Sequence, residues 1–500
     1  MSSVADRADL VRREQLYIGG VWMTPEDGGL IESIDPSTGR VWAIAAYAGR
    51  RDVDKAVAAA RCAMEGAWGR MPGHERAALL RRFADLYRDR AGELARLEAQ
   101  DSGRALREAR LDVGGHHNSY HWWASLADKT SGRTIPFDET VHAFTTRVPV
   151  GVVAAITPWN VPLMAAAWKL GPALAAGCAV ILKPAEQTPV ASLVLGELFE
   201  EAGFPPGAVS ILPGFGAEGA GEWLVTHPDV DKIAFTGEGA TARTILRQGS
   251  DTLKRFTFEL GGKSPHIIFA DADVEQALNA ATNSAWTLCG QSCALGSRVM
   301  VQRTIYERVA SEFQRRAARV RVGPALDEAT HMGPQAHSEQ LGKTLSYIDI
   351  GQAEGATLLA GGRRLSGGVH GDGYFVEPTV FAGVSNQMRI AREEIFGPVA
   401  ALIPFDDEEE AISIANDTAY GLTAGLWTSD IGRSIRVSQR IKAGMVWVNT
   451  YRFIRWSTPY GGFKASGWGR ENGIEALDSY LDTRTTVMSA HGRFTDAYAN

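Results

Sequence analysis

The sequence is poor in cysteine, in basic residues and in long apolar runs. Its 500 residues include four cysteines, too few for a disulfide framework, and a chain of this length can bury a core that needs no disulfide or metal. The net charge of −7 argues against nucleic-acid binding, which needs a clustered basic surface. No apolar run approaches the roughly 18 residues of a membrane span, and residues 1–16 lack the apolar centre of a secretory signal. We therefore expect a soluble cytoplasmic protein with free thiols and no nucleic-acid or membrane partner.

What the sequence does contain is an alternation of apolar runs and helix-like segments. After a helical pattern over Pro72–Ser102, the strand-like runs are Val150–Ile156, Ala179–Leu182, Ala208–Leu212 and Lys232–Phe235. The helix-like segments that follow such runs are Pro162–Ala176, Pro189–Ala202 and Ala240–Gln248. This alternation predicts parallel sheet covered by helices on both faces. It restarts after residue 262, which predicts a second α/β domain, with helices over Val274–Leu288 and Glu408–Asn416 and strands over Arg298–Val301 and Val399–Phe405.

A cysteine follows the predicted helix Val274–Leu288, in the segment Gly290-Gln-Ser-Cys293. Most free cysteines are buried and inert, but one that lies beside a glycine and polar residues can be an exposed nucleophile. Cys289 lies four positions earlier, so the two thiols can share a helical face. Two ligands do not make a zinc site, and no further Cys or His pair has suitable spacing, so we expect no metal.

Two other polar residues stand in apolar surroundings. Glu259 ends a β-prone run before Gly-Gly, where partial burial would raise its pKa and suit a general base. The alternative is a strand-edge carboxylate that pairs with Lys263. Asn160 follows Thr157-Pro-Trp after a buried strand, where its amide can point into a cleft at the carboxyl ends of the strands. The alternative is an ordinary turn residue.

Seven motifs follow one another along the chain: Pro158-Trp-Asn160, Lys183-Pro-Ala-Glu186, Phe235-Thr-Gly237, Glu259-Leu-Gly-Gly, Gly290-Gln-Ser-Cys293, Glu394-Ile-Phe396-Gly-Pro and Pro459-Tyr-Gly-Gly-Phe-Lys464. In these motifs and their order the chain resembles the NAD(P)-dependent aldehyde dehydrogenase superfamily. The resemblance covers about residues 16–488. The 34 positions between Glu259 and Cys293 match the usual spacing of the family.

The resemblance implies NAD-dependent oxidation of an aldehyde to a carboxylic acid. Cys293 attacks as a thiolate, and the oxyanion receives hydrogen bonds from the Asn160 amide and the Cys293 backbone N–H. Hydride transfer leaves a thioester, which is hydrolysed by water that Glu259 activates, while Lys169 supports the region by proton relay. One alternative is a CoA-acylating dehydrogenase, although such relatives lack the glutamate base. Another is a non-catalytic NAD-binding protein on the same scaffold.

The resemblance also assigns a cofactor site. Glu186 can accept both hydroxyls of the adenosine ribose and would repel a 2′-phosphate, which favours NAD over NADP. Gly214-Phe-Gly-Ala-Glu-Gly219 matches a dinucleotide fingerprint, but the resemblance puts the pyrophosphate near the helix after Phe235-Thr-Gly237. Glu394 would bind the nicotinamide ribose, and Phe396 would pack near the nicotinamide ring. The expected cofactor residues are Ile156, Thr157, Trp159, Lys183, Glu186, Gly216, Phe235, Gly237, Glu238, Thr241, Leu260, Glu394 and Phe396.

Two positions depart from the family pattern. Glu238 stands where most members have a serine, and Ala242 stands where glycine is usual. A carboxylate near the pyrophosphate is electrostatically unfavourable unless it turns away or is paired. These departures bear on the phosphate contacts and leave the implied reaction unchanged.

The substrate remains open between two classes. The resemblance assigns substrate contacts to Trp168, Thr287, Ser292, Arg452, Trp456 and Tyr460. The aromatic members favour an apolar or aromatic aldehyde. Arg452 and Arg455 can instead clamp a remote carboxylate, which makes the substrate a semialdehyde, unless both are solvated or pair across a subunit interface.

The implied fold has two doubly wound α/β domains and a β-strand oligomerisation arm. Residues 1–125 and 149–261 form the NAD-binding domain, residues 262–455 form the catalytic domain, and 456–477 return to the cofactor side. The arm comprises 126–148 and 478–495. Its segments are rich in Thr, Val and Arg, and as added strands they can pair with another subunit. The expected assembly is a homodimer or homotetramer.

Overall fold

The computed structural model describes residues 10–492 and 495–498. Residues 1–9 of the predicted NAD-binding domain and 493–494 of the predicted arm lie outside the described residues. Within the described ranges, no helix combines the length and the apolar character that a membrane crossing requires.

The first large sheet has eight strands and a parallel centre. Its order is Gly467–Trp468, Arg255–Glu259, Lys232–Thr236, Val152–Ile156, Ala179–Lys183, Val209–Ile211, Leu16–Ile18 and Val21–Met23. The five strands from Arg255–Glu259 to Val209–Ile211 are parallel, and antiparallel strands close both edges. The parallel strands are apolar and largely buried because helices cover both faces. Residues 467–468, from the segment predicted to return to the cofactor side, lie beside the strand that ends at Glu259.

The second large sheet has seven strands, six of them parallel. Its order is Thr357–Ala360, Thr379–Ala382, Val399–Phe405, Arg298–Gln302, Pro265–Ile268, Thr423–Trp427 and Met445–Val448. Every pair is parallel except the one at the Thr357–Ala360 edge. All seven strands fall inside residues 262–455, the range predicted for the catalytic domain. The structure thus contains the two α/β sheets that the sequence predicts.

A separate three-stranded antiparallel sheet is built from Leu481–Ser489, Val141–Pro149 and Thr134–Ile135. The register runs from the pair Leu481 and Pro149 to the pair Ser489 and Val141. The two segments of the predicted arm therefore pair with each other within one chain. Their pairing with a second copy stays a prediction. Two smaller sheets complete the described residues. One has three strands, in the order Val11–Arg13, Arg40–Tyr47 and Gly29–Asp35, and the other pairs Arg364–Leu365 with Phe375–Val376.

The helices of the described residues are Arg50–Glu65, Ala67–Arg70, Gly73–Asp89, Ala91–Ser102, Leu106–Leu126, Pro162–Ala176, Val190–Ala202, Ala220–Thr226, Gly239–Gln248, Val274–Trp286, Tyr306–Ala317, Ser338–Ala353, Arg389–Arg392, Glu408–Asn416, Ile431–Arg440 and Gly473–Asp478. Two predicted helices need correction. The pattern over Pro72–Ser102 is two helices, because the chain breaks at Arg90 (φ −104°, ψ 9°). The helix from Val274 ends at Trp286, since Leu288 and Cys289 adopt left-handed φ values of 52° and 56°.

The helix Pro162–Ala176 carries two of the site residues, Trp168 and Lys169. Proline at its first position suits a helix start, because that position needs no backbone N–H donor. Gly177 ends the helix with a left-handed φ of 93°, and its N–H donates to the last helical carbonyls. Nearly every side chain of this helix is buried, so the helix packs between the sheet and its neighbours instead of facing solvent.

Candidate active site

A cavity of about 340 Å³ opens where the two large sheets meet. Its walls come from the carboxyl ends of parallel strands, from the helix Pro162–Ala176, and from the loop after Met445–Val448. Ligands bind open α/β sheets at this edge. The predicted site residues that line the cavity are Trp159, Asn160, Trp168, Lys169, Gly237, Glu238, Glu259, Leu260, Ser292, Cys293, Glu394, Phe396, Arg452 and Tyr460.

Cys293 and Cys289 have different surroundings, although they lie four positions apart. The left-handed turn at Leu288, Cys289 and Gly290 reverses the chain, so the two thiols share no helical face. A Cβ on Gly290 would lie 2.0 Å from the carbonyl carbon of Gly397, so this position requires glycine. The Cys289 thiol is buried and donates to the Gly333 carbonyl at 3.0 Å. Cys293 is half-buried and faces the cavity.

The Cys293 thiol is held in its protonated form in the free protein. Burial raises its pKa to about 11, and the carboxylates of Glu394 and Glu259 act in the same direction. A hydrogen bond between the Tyr460 hydroxyl and Sγ, which lie 3.6 Å apart, and the Arg452 charge oppose the shift. The thiolate is the nucleophilic form of cysteine, so attack requires a base that removes this proton.

Glu259 is a buried carboxylate that lines the same cavity as Cys293. It ends the strand Arg255–Glu259, is 5% exposed, and its Oε2 has no hydrogen-bond partner among the described residues. Burial raises its pKa well above the ordinary value, and the negative charge of Glu471 adds to this shift. Glu259 is therefore more deeply buried than the partial burial that the sequence predicts. The alternative of an ion pair with Lys263 is wrong, because no such pair forms among the described residues.

A buried ion pair lies next to this glutamate. Lys169 Nζ donates to Glu471 Oε1 at 2.5 Å, and both side chains are almost completely buried. Lys169 lowers the pKa of Glu259 and Glu471 raises it. Lys232, also buried, has a pKa lowered to about 7 by burial. Glu259 and Lys232 are thus both buried titratable groups on which the charges of Glu471 and Lys169 act.

Opposite pH shifts are expected when the two members of this ion pair are neutralised separately. Lys169→Gln removes the charge that lowers the pKa of Glu259, so the acidic limb of the kcat profile moves to higher pH by about one unit. Glu471→Gln removes a charge that raises that pKa, so the limb moves to lower pH. The pH profiles of both variants, measured with circular dichroism as a folding control, test this. Shifts in the same direction would show that the pair acts only structurally.

Asn160 lines the cavity beside the segment that carries Cys293. Its Nδ2 donates to the Gln291 carbonyl at 2.7 Å, in the segment that leads to Cys293. One N–H of the amide is used in this bond, and the second remains for a ligand. The backbone N–H of Cys293 donates to no described residue. These two donors are the ones that an oxyanion on a Cys293 adduct needs.

The other end of the cavity combines aromatic rings with carboxylates. The Trp159 ring packs edge-on against Phe396, with centroids 5.3 Å apart. Glu394 Oε1 accepts from the Gly262 N–H at 2.8 Å, and burial raises the pKa of Glu394 to about 7. Glu238 precedes the helix Gly239–Gln248 without a capping hydrogen bond from its side chain, and it is exposed.

Several predicted cofactor residues lie outside the cavity lining: Ile156, Thr157, Lys183, Glu186, Gly216, Phe235 and Thr241. Lys183 Nζ donates to the Gly214 carbonyl at 2.6 Å and lies 3.6 Å from Glu186. The Thr157 hydroxyl is buried and has no partner among the described residues. Gly216 and Thr241 are exposed, in the glycine loop and the helix Gly239–Gln248 respectively. These residues extend the site along the sheet edge beyond the cavity.

Two predicted substrate contacts do not line the cavity. Thr287 donates instead to Glu108 at 2.9 Å, because the turn at Leu288 directs it away. Trp456 packs against the helix Leu106–Leu126, where its ring centroid lies 6.0 Å from that of His116. Arg455 is also outside the lining, since its guanidinium stacks over the Phe453 ring at 4.6 Å.

Other lining residues have no sequence motif that predicts them. Val161, Met164 and Ala165 add apolar walls, and His337, Glu339, Gln340 and Lys343 come from the start of a distant helix. Gln340 Nε2 donates to the carbonyls of Ile395 and Phe396, both at 3.0 Å. These bonds hold Phe396 at its left-handed φ of 60°. Among the described residues, no three His, Cys, Asp or Glu side chains are grouped to hold a metal ion.

Comparison with known proteins identifies the family. A sequence model of the aldehyde dehydrogenase family matches residues 22–486. An aldehyde dehydrogenase from Emericella nidulans is 42% identical over 96% of this chain and 95% of its own. The structure of a Bacillus cereus aldehyde dehydrogenase in complex with NAD+ is 43% identical and covers 98% of this chain and 99% of its own, with a TM-score of 0.94. A Staphylococcus aureus betaine aldehyde dehydrogenase, in complex with NAD+, is 37% identical over 97% of each chain, with a TM-score of 0.95. The chain belongs to the aldehyde dehydrogenase family.

Proposed function

We propose that the protein oxidises an aldehyde to a carboxylic acid with NAD, through a thiohemiacetal and a thioester on Cys293. The observation that carries the proposal is the convergence of Cys293, Glu259 and Asn160 on one cavity. A nucleophile, a base of raised pKa and free oxyanion donors are the parts that acyl-enzyme chemistry needs. NADH formation from a panel of aldehydes, with NADP in place of NAD as a comparison, tests the proposal.

The residues present fit a dinucleotide. The helix Gly239–Gln248 offers free N–H groups at its start, which suit a pyrophosphate, and the Thr157 hydroxyl lacks a partner among the described residues. Glu394 would hold the nicotinamide ribose, and Glu186 the adenosine ribose. The Glu186 carboxylate would repel a 2′-phosphate, which favours NAD. Two solved relatives bind NAD+.

The first half of the reaction forms the thioester. The Cys293 thiol loses its proton to solvent in the cavity, the sulfur attacks the aldehyde carbon, and the carbonyl electron pair moves onto oxygen. The Asn160 amide and the Cys293 N–H donate to that oxygen. Bound NAD would supply the acceptor for a hydride from the thiohemiacetal carbon, whose carbonyl would then reform as a thioester.

The second half releases the acid. Glu259 removes a proton from water, whose oxygen attacks the thioester carbon, and sulfur leaves with its electron pair as the Cys293 thiolate. Glu259 then passes the proton toward Lys169 and Glu471. Water is the acceptor because this buried base is present, which sets the proposal apart from a CoA-acylating enzyme.

Tighter dinucleotide binding is expected when Glu238 is neutralised. Glu238 lines the cavity beside the helix start proposed for the pyrophosphate, so its charge opposes binding. Glu238→Gln should lower the Kd of NADH roughly fivefold at low salt, equivalent to about 1 kcal/mol at an exposed helix terminus. Fluorescence titration at two salt concentrations measures it. Asp251→Asn, which removes an exposed charge beyond the other end of the helix, is the control. An unchanged Kd for Glu238→Gln would mean that its carboxylate turns away from the phosphates.

A further inference from the structure

Arg452 is a cationic side chain of the cavity wall that the proposed mechanism leaves without a role. Arg452 lies in the loop after the strand Met445–Val448, is half-buried, and lines the cavity together with Cys293. Its charge lowers the pKa of the Cys293 thiol and of the Tyr460 hydroxyl. The guanidinium is therefore close to the reacting end of the cavity.

The loop that carries Arg452 is fixed in place. The Tyr451 hydroxyl donates to the Ala294 carbonyl at 3.1 Å, next to the nucleophile. Trp447 Nε1 donates to the Phe453 carbonyl at 3.0 Å, on the other side of Arg452. Arg452 itself has a left-handed φ of 55° between these two anchors. A guanidinium positioned in this way loses little conformational freedom when it binds a ligand.

Arg452 is not matched by a carboxylate of the protein. Among the described residues it forms no ion pair and no side-chain hydrogen bond. The Arg452 charge helps to lower the pKa of the Asp112 carboxyl group. That carboxylate, however, already accepts a hydrogen bond from Arg104 Nη2 at 2.5 Å. Arg104 also pairs with the buried Glu98. The cavity wall thus presents a guanidinium whose bidentate donors are free.

The side chains around it are mostly apolar. Val161, Met164, Trp168 and Ile454 line the same cavity, and the Trp168 ring packs on Tyr460 with centroids 5.1 Å apart. Charge-assisted hydrogen bonds gain strength in such a partly desolvated setting. Lys169, the other cation beside the catalytic group, is already paired with Glu471.

We propose that Arg452 binds a carboxylate at the end of the substrate remote from its aldehyde, so that the preferred substrate is a semialdehyde. The inference rests on the proposed function, since the aldehyde end must react at Cys293. It selects the semialdehyde over the purely apolar aldehyde as the substrate class. The apolar walls then contact the carbon chain between the two ends.

Matched substrate pairs test this proposal. We would measure kcat/KM for succinic semialdehyde against butanal, glutaric semialdehyde against pentanal, and carboxybenzaldehydes against benzaldehyde. The wild type should prefer the acidic member, and Arg452→Gln should reduce the acidic-to-neutral ratio about 10- to 100-fold. The acidic-to-neutral ratio is the readout because loss of the Arg452 charge also changes the pKa of the Cys293 thiol. That change alters kcat/KM for the acidic and the neutral aldehyde of a pair by the same factor, so it cancels in the ratio. Arg455→Gln, the same change on the same loop outside the cavity, should leave the ratio as in the wild type.

Binding without turnover separates this inference from the proposed function. Calorimetry compares succinate and glutarate, which resemble the acid products, with butyrate and pentanoate. In the wild type and in Arg455→Gln the two dicarboxylates should bind more tightly than the two monocarboxylates. In Arg452→Gln this difference should disappear. Equal binding of both acid classes, or an unchanged ratio in Arg452→Gln, would overturn the carboxylate site while neutral aldehydes still yield NADH. Selective dicarboxylate binding without NADH from any aldehyde would support the Arg452 site and defeat the proposed reaction.

Discussion

Replacing Cys293 by alanine is expected to lower kcat/KM for every aldehyde by at least about 10⁴-fold, because no other group in the cavity can form the covalent intermediate. Cofactor binding should survive, since the side chain is small and the cofactor end of the cavity is built by other residues. NADH formation and NADH fluorescence titration, run on the same preparation, separate the two effects.

The matched control is Cys289→Ser. Cys289 lies four positions away, is buried, and donates to the Gly333 carbonyl, a bond that serine can also make. This variant should keep most of the activity. If Cys289→Ser lost activity while Cys293→Ala kept it, the assignment of the nucleophile would be wrong.

Glu259→Gln is expected to separate the two halves of the reaction. Glutamine cannot take a proton from water, so steady-state turnover should fall about 10²- to 10⁴-fold. Cys293 can still lose its proton to solvent, so a first turnover occurs and produces up to one NADH per active site before the slow phase. Stopped-flow measurement at high enzyme concentration resolves this burst.

Hydroxylamine tests which step of the reaction is blocked in Glu259→Gln. This external nucleophile cleaves thioesters without a protein base, so it should restore part of the turnover. Glu201→Gln, an exposed glutamate at the end of a helix, should behave as the wild type. Steady-state activity near the wild-type level in Glu259→Gln would contradict the role of Glu259 as the water-activating base.

The architecture is largely readable from the sequence. The four strand predictions of the first α/β pattern and the predicted strand Arg298–Val301 end within two residues of the observed bounds, because strands buried on both faces must be continuous apolar runs. The errors arise where backbone geometry overrides periodicity. The left-handed residues at Leu288 and Cys289 shorten a predicted helix and turn Thr287 away from the cavity.

The sequence predicts a site residue only where that residue stands in a recognisable local motif. Cys293, Glu259 and Asn160 stand in short segments that indicate their chemistry, and all three line the cavity. His337 and Gln340 come from a helix far along the chain that has no motif, so only the three-dimensional arrangement places them. Arg452 and Arg455 look equivalent in sequence, and the stacking of Arg455 on Phe453 is what distinguishes them.

Peptide mass spectrometry of Glu259→Gln, quenched in acid after mixing with NAD and an aldehyde, tests the central claim most directly. The account predicts that the peptide carrying Cys293 gains the mass of the aldehyde less two hydrogen atoms, the mark of a thioester formed after hydride transfer. Omission of NAD should abolish that adduct. NADH release without any acyl group on Cys293, or the adduct on another residue, would contradict covalent catalysis at Cys293.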